Sequence, residues 1–136
     1  MTIDRVALVA LACASAIGCG EGISAPRTVP ASGTVLFKGK PVGGVKVTLH
    51  PTSSMTFTPN GTTGKDGRFA LSTASPLDGA PPGEYSATFE LLRAGSDSRG
   101  LDTEIDVWKG KYANPDTAPK VTVGSSETTL GPFRLD

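Results

Sequence analysis

Cysteine is nearly missing from this chain. Cys13 and Cys19 are the only two in 136 residues and both fall within the first twenty, so everything after them must fold without an internal disulfide. Histidine occurs once, at His50, and tryptophan once, at Trp108. A single imidazole with no thiol downstream excludes the usual transition-metal ligand sets. It also leaves any serine or threonine nucleophile with one imidazole base to draw on. Net charge is absent as well. Thirteen basic and thirteen acidic side chains cancel, which removes the electrostatic argument for a nucleic-acid partner or an anionic membrane face. Aromatic residues make up 6%, and no stretch sustains a 3.6-residue apolar period, so essentially no helix is expected after the leader. Neither a cofactor nor a metal is expected.

Turn formers and two-residue alternation are abundant. The chain holds 17 glycines and 11 prolines, a composition that favours a small all-β domain. Val45, Val47 and Leu49 alternate with Lys46, Thr48 and His50. Tyr85, Ala87, Phe89 and Leu91 alternate with Glu84, Ser86, Thr88 and Glu90. Val35 with Phe37, and Phe69 with Leu71, repeat the pattern, as strands with one wet face require. Later strand candidates are Ile105–Val107, Val121–Val123 and Phe133–Leu135. Gly39-Lys40-Pro41, Asn60-Gly61, Asp66-Gly67 and Pro82-Gly83 supply turn chemistry between these runs. Residues 94–100 are expected to form a mobile polar loop, and 109–119 a second irregular stretch.

The leader has a pattern of its own. Val6 to Gly18 carries no charge and closes on Ala16-Ile17-Gly18-Cys19. This run is too short to span a bilayer, which takes about 20 residues, but it suits the h-region of an export signal. It resembles the lipobox of a bacterial lipoprotein, in which the cysteine is lipidated and becomes the mature N-terminus. The resemblance implies a signal peptide over 1–18, a lipidated tether over 19–31 beginning at Cys19, and one domain over 32–136. It further implies a membrane partner through the lipid and a place in the bacterial cell envelope. Gly20, standing where some inner-membrane lipoproteins carry Asp, favours the outer membrane or periplasmic face.

A second resemblance follows from ordered motifs. Gly33-Thr34-Val35, then Lys38-Gly39-Lys40-Pro41-Val42-Gly43-Gly44-Val45, resembles the opening of a carboxypeptidase-regulatory-like domain. Thr63-Gly64-Lys65-Asp66-Gly67-Arg68-Phe69 resembles its second motif, with Gly64 in place of the usual Asp. Asp78-Gly79-Ala80-Pro81-Pro82-Gly83-Glu84-Tyr85 and Lys111-Tyr112 resemble small bacterial lipoproteins built on that domain. The likeness implies a transthyretin-like (prealbumin-like) β-sandwich of about seven strands. It transfers no catalytic residues, because such domains share no active site.

These readings lead to a noncatalytic, membrane-anchored binding or structural module. The alternatives are a carbohydrate- or protein-binding module using Trp108 and Tyr112, with a glycan or envelope protein as partner, and a transthyretin-like hydrolase. Trp108, placed by parity with Glu104 and Asp106 and away from Ile105 and Val107, is either a ligand platform with Tyr112 or a lid over the sandwich end. His50 falls on the wet face of its strand. Asp102, Glu104 and Asp106 share one strand face and read as a solvated or protected edge rather than a calcium site. Asn60-Gly61-Thr62 matches a glycosylation sequon but is expected to be simply a turn.

Overall fold

A computed structural model describes residues 26–136, and Cys13, Cys19 and the signal segment lie outside the described residues. Nine strands follow: β1 (Ala31–Phe37), β2 (Lys40–Pro41), β3 (Val45–Pro51), β4 (Asn60–Thr62), β5 (Arg68–Ala70), β6 (Gly83–Ser96), β7 (Asp102–Asp106), β8 (Lys120–Val123) and β9 (Thr128–Leu135). No helix forms among the described residues. In the first sheet β1 pairs in parallel with β9 and antiparallel with β2 and β5. In the second, β3 lies between β4 and β6, while β8 and β7 pair antiparallel with successive parts of β6.

The expected alternation is what joins the two sheets. Val45, Val47 and Leu49 of β3 are fully buried, as are Tyr85 and Ala87 of β6, with Phe89 close behind. Register sets Val47 opposite Phe89 and Leu49 opposite Ala87, so the two strands present one continuous apolar face. Phe69 and Phe133 of the first sheet close on it, with Phe133 5.0 Å from Phe89 and 6.3 Å from Phe69 between ring centroids. Each such side chain contributes about 1.5–3 kcal/mol on leaving water. The result is an all-β sandwich.

The strand count exceeds seven because β2 and β4 are only two and three residues long. The β1–β2 turn places Lys38 and Gly39 at φ of 51° and 78°, the positive pair that a tight type I′ hairpin demands. Pro82-Gly83 does not form the expected type II turn; Gly83 opens β6. Asn60-Gly61 is no turn either, because both residues belong to β4 beside Val47 and Thr48. The domain also starts earlier than residue 32. Val29 is 6% exposed and exchanges two backbone hydrogen bonds with Ala80, at 2.9 and 3.0 Å, so the last residues assigned to the tether belong to the fold. Finally, 94–96 are strand rather than mobile loop, since β6 runs on to Ser96.

β6 gives the molecule its two ends. It begins beside the Val29–Ala80 bridge and continues for 14 residues, roughly 45 Å at strand rise. Up to Leu91 it is flanked by β3 and sits within the sandwich. From Leu92 to Ser96 it pairs with β7 alone, forming a projecting two-stranded arm.

Candidate functional site

Trp108 and Tyr112 do come together, at the end of the sandwich from which the arm leaves. Their rings meet edge to face with centroids 5.1 Å apart, and Trp108 also lies 5.3 Å from Phe37 at the end of β1. Both are half-buried and pack against the core. The strand parity used for Trp108 fails because β7 stops at Asp106 and the chain turns. Ile105 and Val107, expected inward, are instead 45% and 51% exposed, whereas Trp108 folds back onto the core. The T-shaped pair offers an aromatic edge cluster, not the flat face on which a sugar ring stacks.

The turn has a definite cause. One Asp106 carboxylate oxygen accepts the N–H of Leu91 at 3.1 Å and of Trp108 at 3.0 Å, and the other accepts that of Gly110 at 2.8 Å. Asp106 is therefore a turn-building group and not the third member of a solvated acidic row. Among the described residues no cluster of three His, Cys, Asp or Glu side chains converges to hold a metal. Tyr112 is fixed from the other side: its hydroxyl and the Lys111 ammonium both donate to the Asp136 carbonyl, the latter at 2.5 Å. A cavity of about 60 Å³ lies beneath, walled by Phe89, Tyr112, Pro119 and Leu135 among others. Its volume suits water rather than an organic ligand.

His50 stands on the outer face of the second sheet as its parity requires. Its Nε2 is 2.9 Å from the Thr88 hydroxyl, which itself donates to the Thr48 carbonyl at 3.4 Å. Thr88 is only 2% exposed, so its oxygen is closed to an incoming substrate and the pair behaves as a cross-strand tie. Two open recesses of mixed lining lie elsewhere on the molecule. One, of about 350 Å³, is lined by Thr52, Glu84, Lys120, Val121 and Thr122. The other, of about 230 Å³, is lined by Ser32, Gly33, Thr34, Arg68, Phe69 and Thr129.

The sequence pattern sets Ile105 and Val107 inward and does not single out Leu101, so the exposed apolar cluster that the three form on the arm is not legible from it. The available signal was Asp97-Ser98-Arg99-Gly100, a turn sequence between two short extended runs. Asp97 holds that turn, accepting from the N–H of Arg99 at 2.8 Å and of Leu101 at 3.0 Å, and forming an ion pair with the Arg99 guanidinium at 2.9 Å. The hydrogen bonds from Leu101 and Arg99 hold the Asp97 carboxyl below the usual carboxylate range.

Comparison with protein-family models found no match, and comparison with curated proteins found none either. Among solved structures, the chain is similar to a 9R-lipoxygenase from Cyanothece at 18% identity and a TM-score of 0.42. The match covers 82% of this chain and 18% of the lipoxygenase. A likeness at this level assigns no activity to the chain.

Proposed function

We propose that this chain is a noncatalytic, membrane-anchored lipoprotein of the bacterial cell envelope, with a carboxypeptidase-regulatory-like β-sandwich acting as a binding or structural module. The observation that carries the reading is the uncharged run closing on Ala16-Ile17-Gly18-Cys19, placed just ahead of a domain that the chain enters at one end, through Val29. An anchor at Cys19 would hold that end toward a bilayer and leave the β6–β7 arm pointing away from it. Diacylglyceryl and amide-linked acyl groups together would anchor the protein securely, as a single chain would not.

The aromatic pair is the second reading. Trp108 and Tyr112 flank the base of the arm, where an envelope protein would meet an aromatic edge; the T-shaped geometry favours a protein partner over a glycan.

Intact mass analysis of protein extracted from membranes is the test. A product beginning at Cys19 with added acyl mass, and loss of both membrane retention and acyl mass in Cys19→Ala, is the expected result. A cytoplasmic product with Met1 in place and no added mass overturns the anchor. A purified domain that turns over a hydrolase substrate, with turnover lost in His50→Ala, overturns the noncatalytic assignment.

A further inference from the structure

We infer that the β6–β7 arm is a docking edge for an extended segment of a partner protein in which Lys or Arg alternates with apolar residues, added as a further strand beside β7. This rests on the binding-module reading above and is independent of the anchor at Cys19.

The arm is left uncovered in a way the rest of the molecule is not. Four large hydrophobic side chains are exposed among the described residues, and three of them, Leu101, Ile105 and Val107, lie on or beside β7. An isolated two-stranded ribbon is marginal in water, yet this one is fastened at both ends. Asp97 locks the tip, through Arg99 and Leu101, and Asp106 locks the base, through Leu91 and Trp108. The Ile105 side chain lies across Gly95, where any Cβ would collide with it, so Ile105 packs directly on the backbone of the neighbouring strand. A fixed edge loses less freedom on binding than a mobile one.

Register tells which groups the edge offers. Backbone bonds from Val107 to Leu91 and from Asp97 to Leu101 bracket the ladder, with Ile105 opposite Arg93 and Thr103 opposite Gly95 between them. Bonded pairs alternate in an antiparallel ribbon. The peptide groups of Thr103 and Ile105 therefore face β6, and those of Asp102 and Glu104 face outward. Among the described residues β7 pairs with no strand but β6, so this outward row is available for strand addition.

Charge selects the occupant. Asp102, Glu104 and Asp106 project from one face of β7, and Thr103 and Ile105 from the other. A second copy pairing antiparallel about Glu104 would set Glu104 against Glu104 and Asp102 against Asp106, and like charges directly opposed destabilise a pair. Asp106 is held by the N–H groups of Leu91, Trp108 and Gly110, so the exposed carboxylates of Asp102 and Glu104 are the ones that both turn away a copy and attract a strand carrying cations two residues apart. Its intervening apolar side chains then fall on the Ile105 side.

The test uses the full chain in detergent with a synthetic heptapeptide alternating Lys and Val, Lys at both ends, followed by NMR. Saturable shifts confined to the amides of 102–107, a Kd weakened at least tenfold in Glu104→Lys and several-fold in Ile105→Ser, and no binding by the Glu/Val counterpart are expected. Unchanged Trp108 fluorescence verifies that each variant keeps its fold. The inference is overturned if the arm amides do not respond, if Glu104→Lys binds equally, or if a block peptide of the same composition matches the alternating one. It is also overturned if the arm amides shift with protein concentration alone, which would make the occupant a second copy. Acyl mass at Cys19 is read separately, so failure here leaves the anchor standing and failure there leaves the docking edge standing.

Discussion

The carboxylate of Asp106 accepts the main-chain N–H of Leu91, 15 residues earlier in the chain, at 3.1 Å. That contact marks where the sandwich ends and the arm begins. The same oxygen takes the N–H of Trp108, so one side chain fixes both the strand junction and the position of the indole. Hydrogen bonds to charged groups contribute about 1.5–3 kcal/mol each, less where solvent reaches them. Asp106→Ala is expected to lower stability by about 2–3 kcal/mol in urea denaturation. It should also shift the emission of Trp108 to the red under native conditions, and Asn at the same position should recover part of both. Fluorescence is unambiguous here because Trp108 is the only tryptophan.

Tyr85 is fully buried and donates its hydroxyl to the Pro81 carbonyl at 2.6 Å. Burial raises the phenol above its ordinary value of 10.0. A raised native pKa means the contribution is complete below the unfolded-state value and disappears as pH climbs through the native one. Stability should therefore fall above about pH 10, more steeply in the natural protein than in Tyr85→Phe. The variant should lose about 1–2 kcal/mol at neutral pH, because the Pro81 carbonyl is left without its donor. Urea midpoints measured from pH 8 to 11.5 check both.

Asp78 shows the opposite sign. Burial alone would raise its pKa, but the N–H groups of Thr73, Ser75 and Ala74 converge on its carboxylate at 2.7, 3.0 and 3.0 Å and bring it below its usual value of 3.8. Its contribution is present above that value and is lost as pH falls through the lower native one. Asp78→Ala is expected to cost about 1–2 kcal/mol at neutral pH. It should also flatten the acid limb of the stability profile below about pH 4, as thermal melts between pH 2 and 7 would reveal.

What the sequence made legible follows from burial. β3 and the first half of β6 each carry an apolar face that is wholly buried, so Val45-Val47-Leu49 and Tyr85-Ala87-Phe89-Leu91 announce themselves by alternation, although in β6 the intervening Ser86 and Thr88 are buried as well. Where burial stops, so does the signal. Past Leu91 the continuation Arg93 and Gly95 carries no apolar rhythm, although the strand goes on to Ser96. Of the two places the sequence allows Trp108, parity favours the exposed one and the structure shows the lid, packed against the core, because parity holds only within a strand and Asp106 ends this one. Val29 hid among prolines, since a single backbone exchange with Ala80 has no sequence pattern. The candidate site was half legible: its aromatic members were found, but not the carboxylate that sets them or the exposed apolar side chains beside them.

The Asn60-Gly61 pair shows how a tight-turn signal can serve another purpose. Gly61 lies in β4 opposite Val47, and the place a Cβ would occupy falls against the Ala70 carbonyl at the end of β5. Glycine is present here because the backbones of two strands from different sheets approach one another, not because the chain reverses. Backbone cannot step aside as a flexible side chain can. Gly61→Ala is therefore expected to cost about 2–3 kcal/mol through overpacking, whereas Asn60→Ala, which keeps the backbone bonds to Ser72 and removes an exposed side chain bonded to the Thr58 carbonyl at 3.3 Å, should cost under about 0.5 kcal/mol. A true turn would give the reverse balance for Asn60, since both central residues would then need positive φ. Chemical denaturation of the two single variants decides between these outcomes.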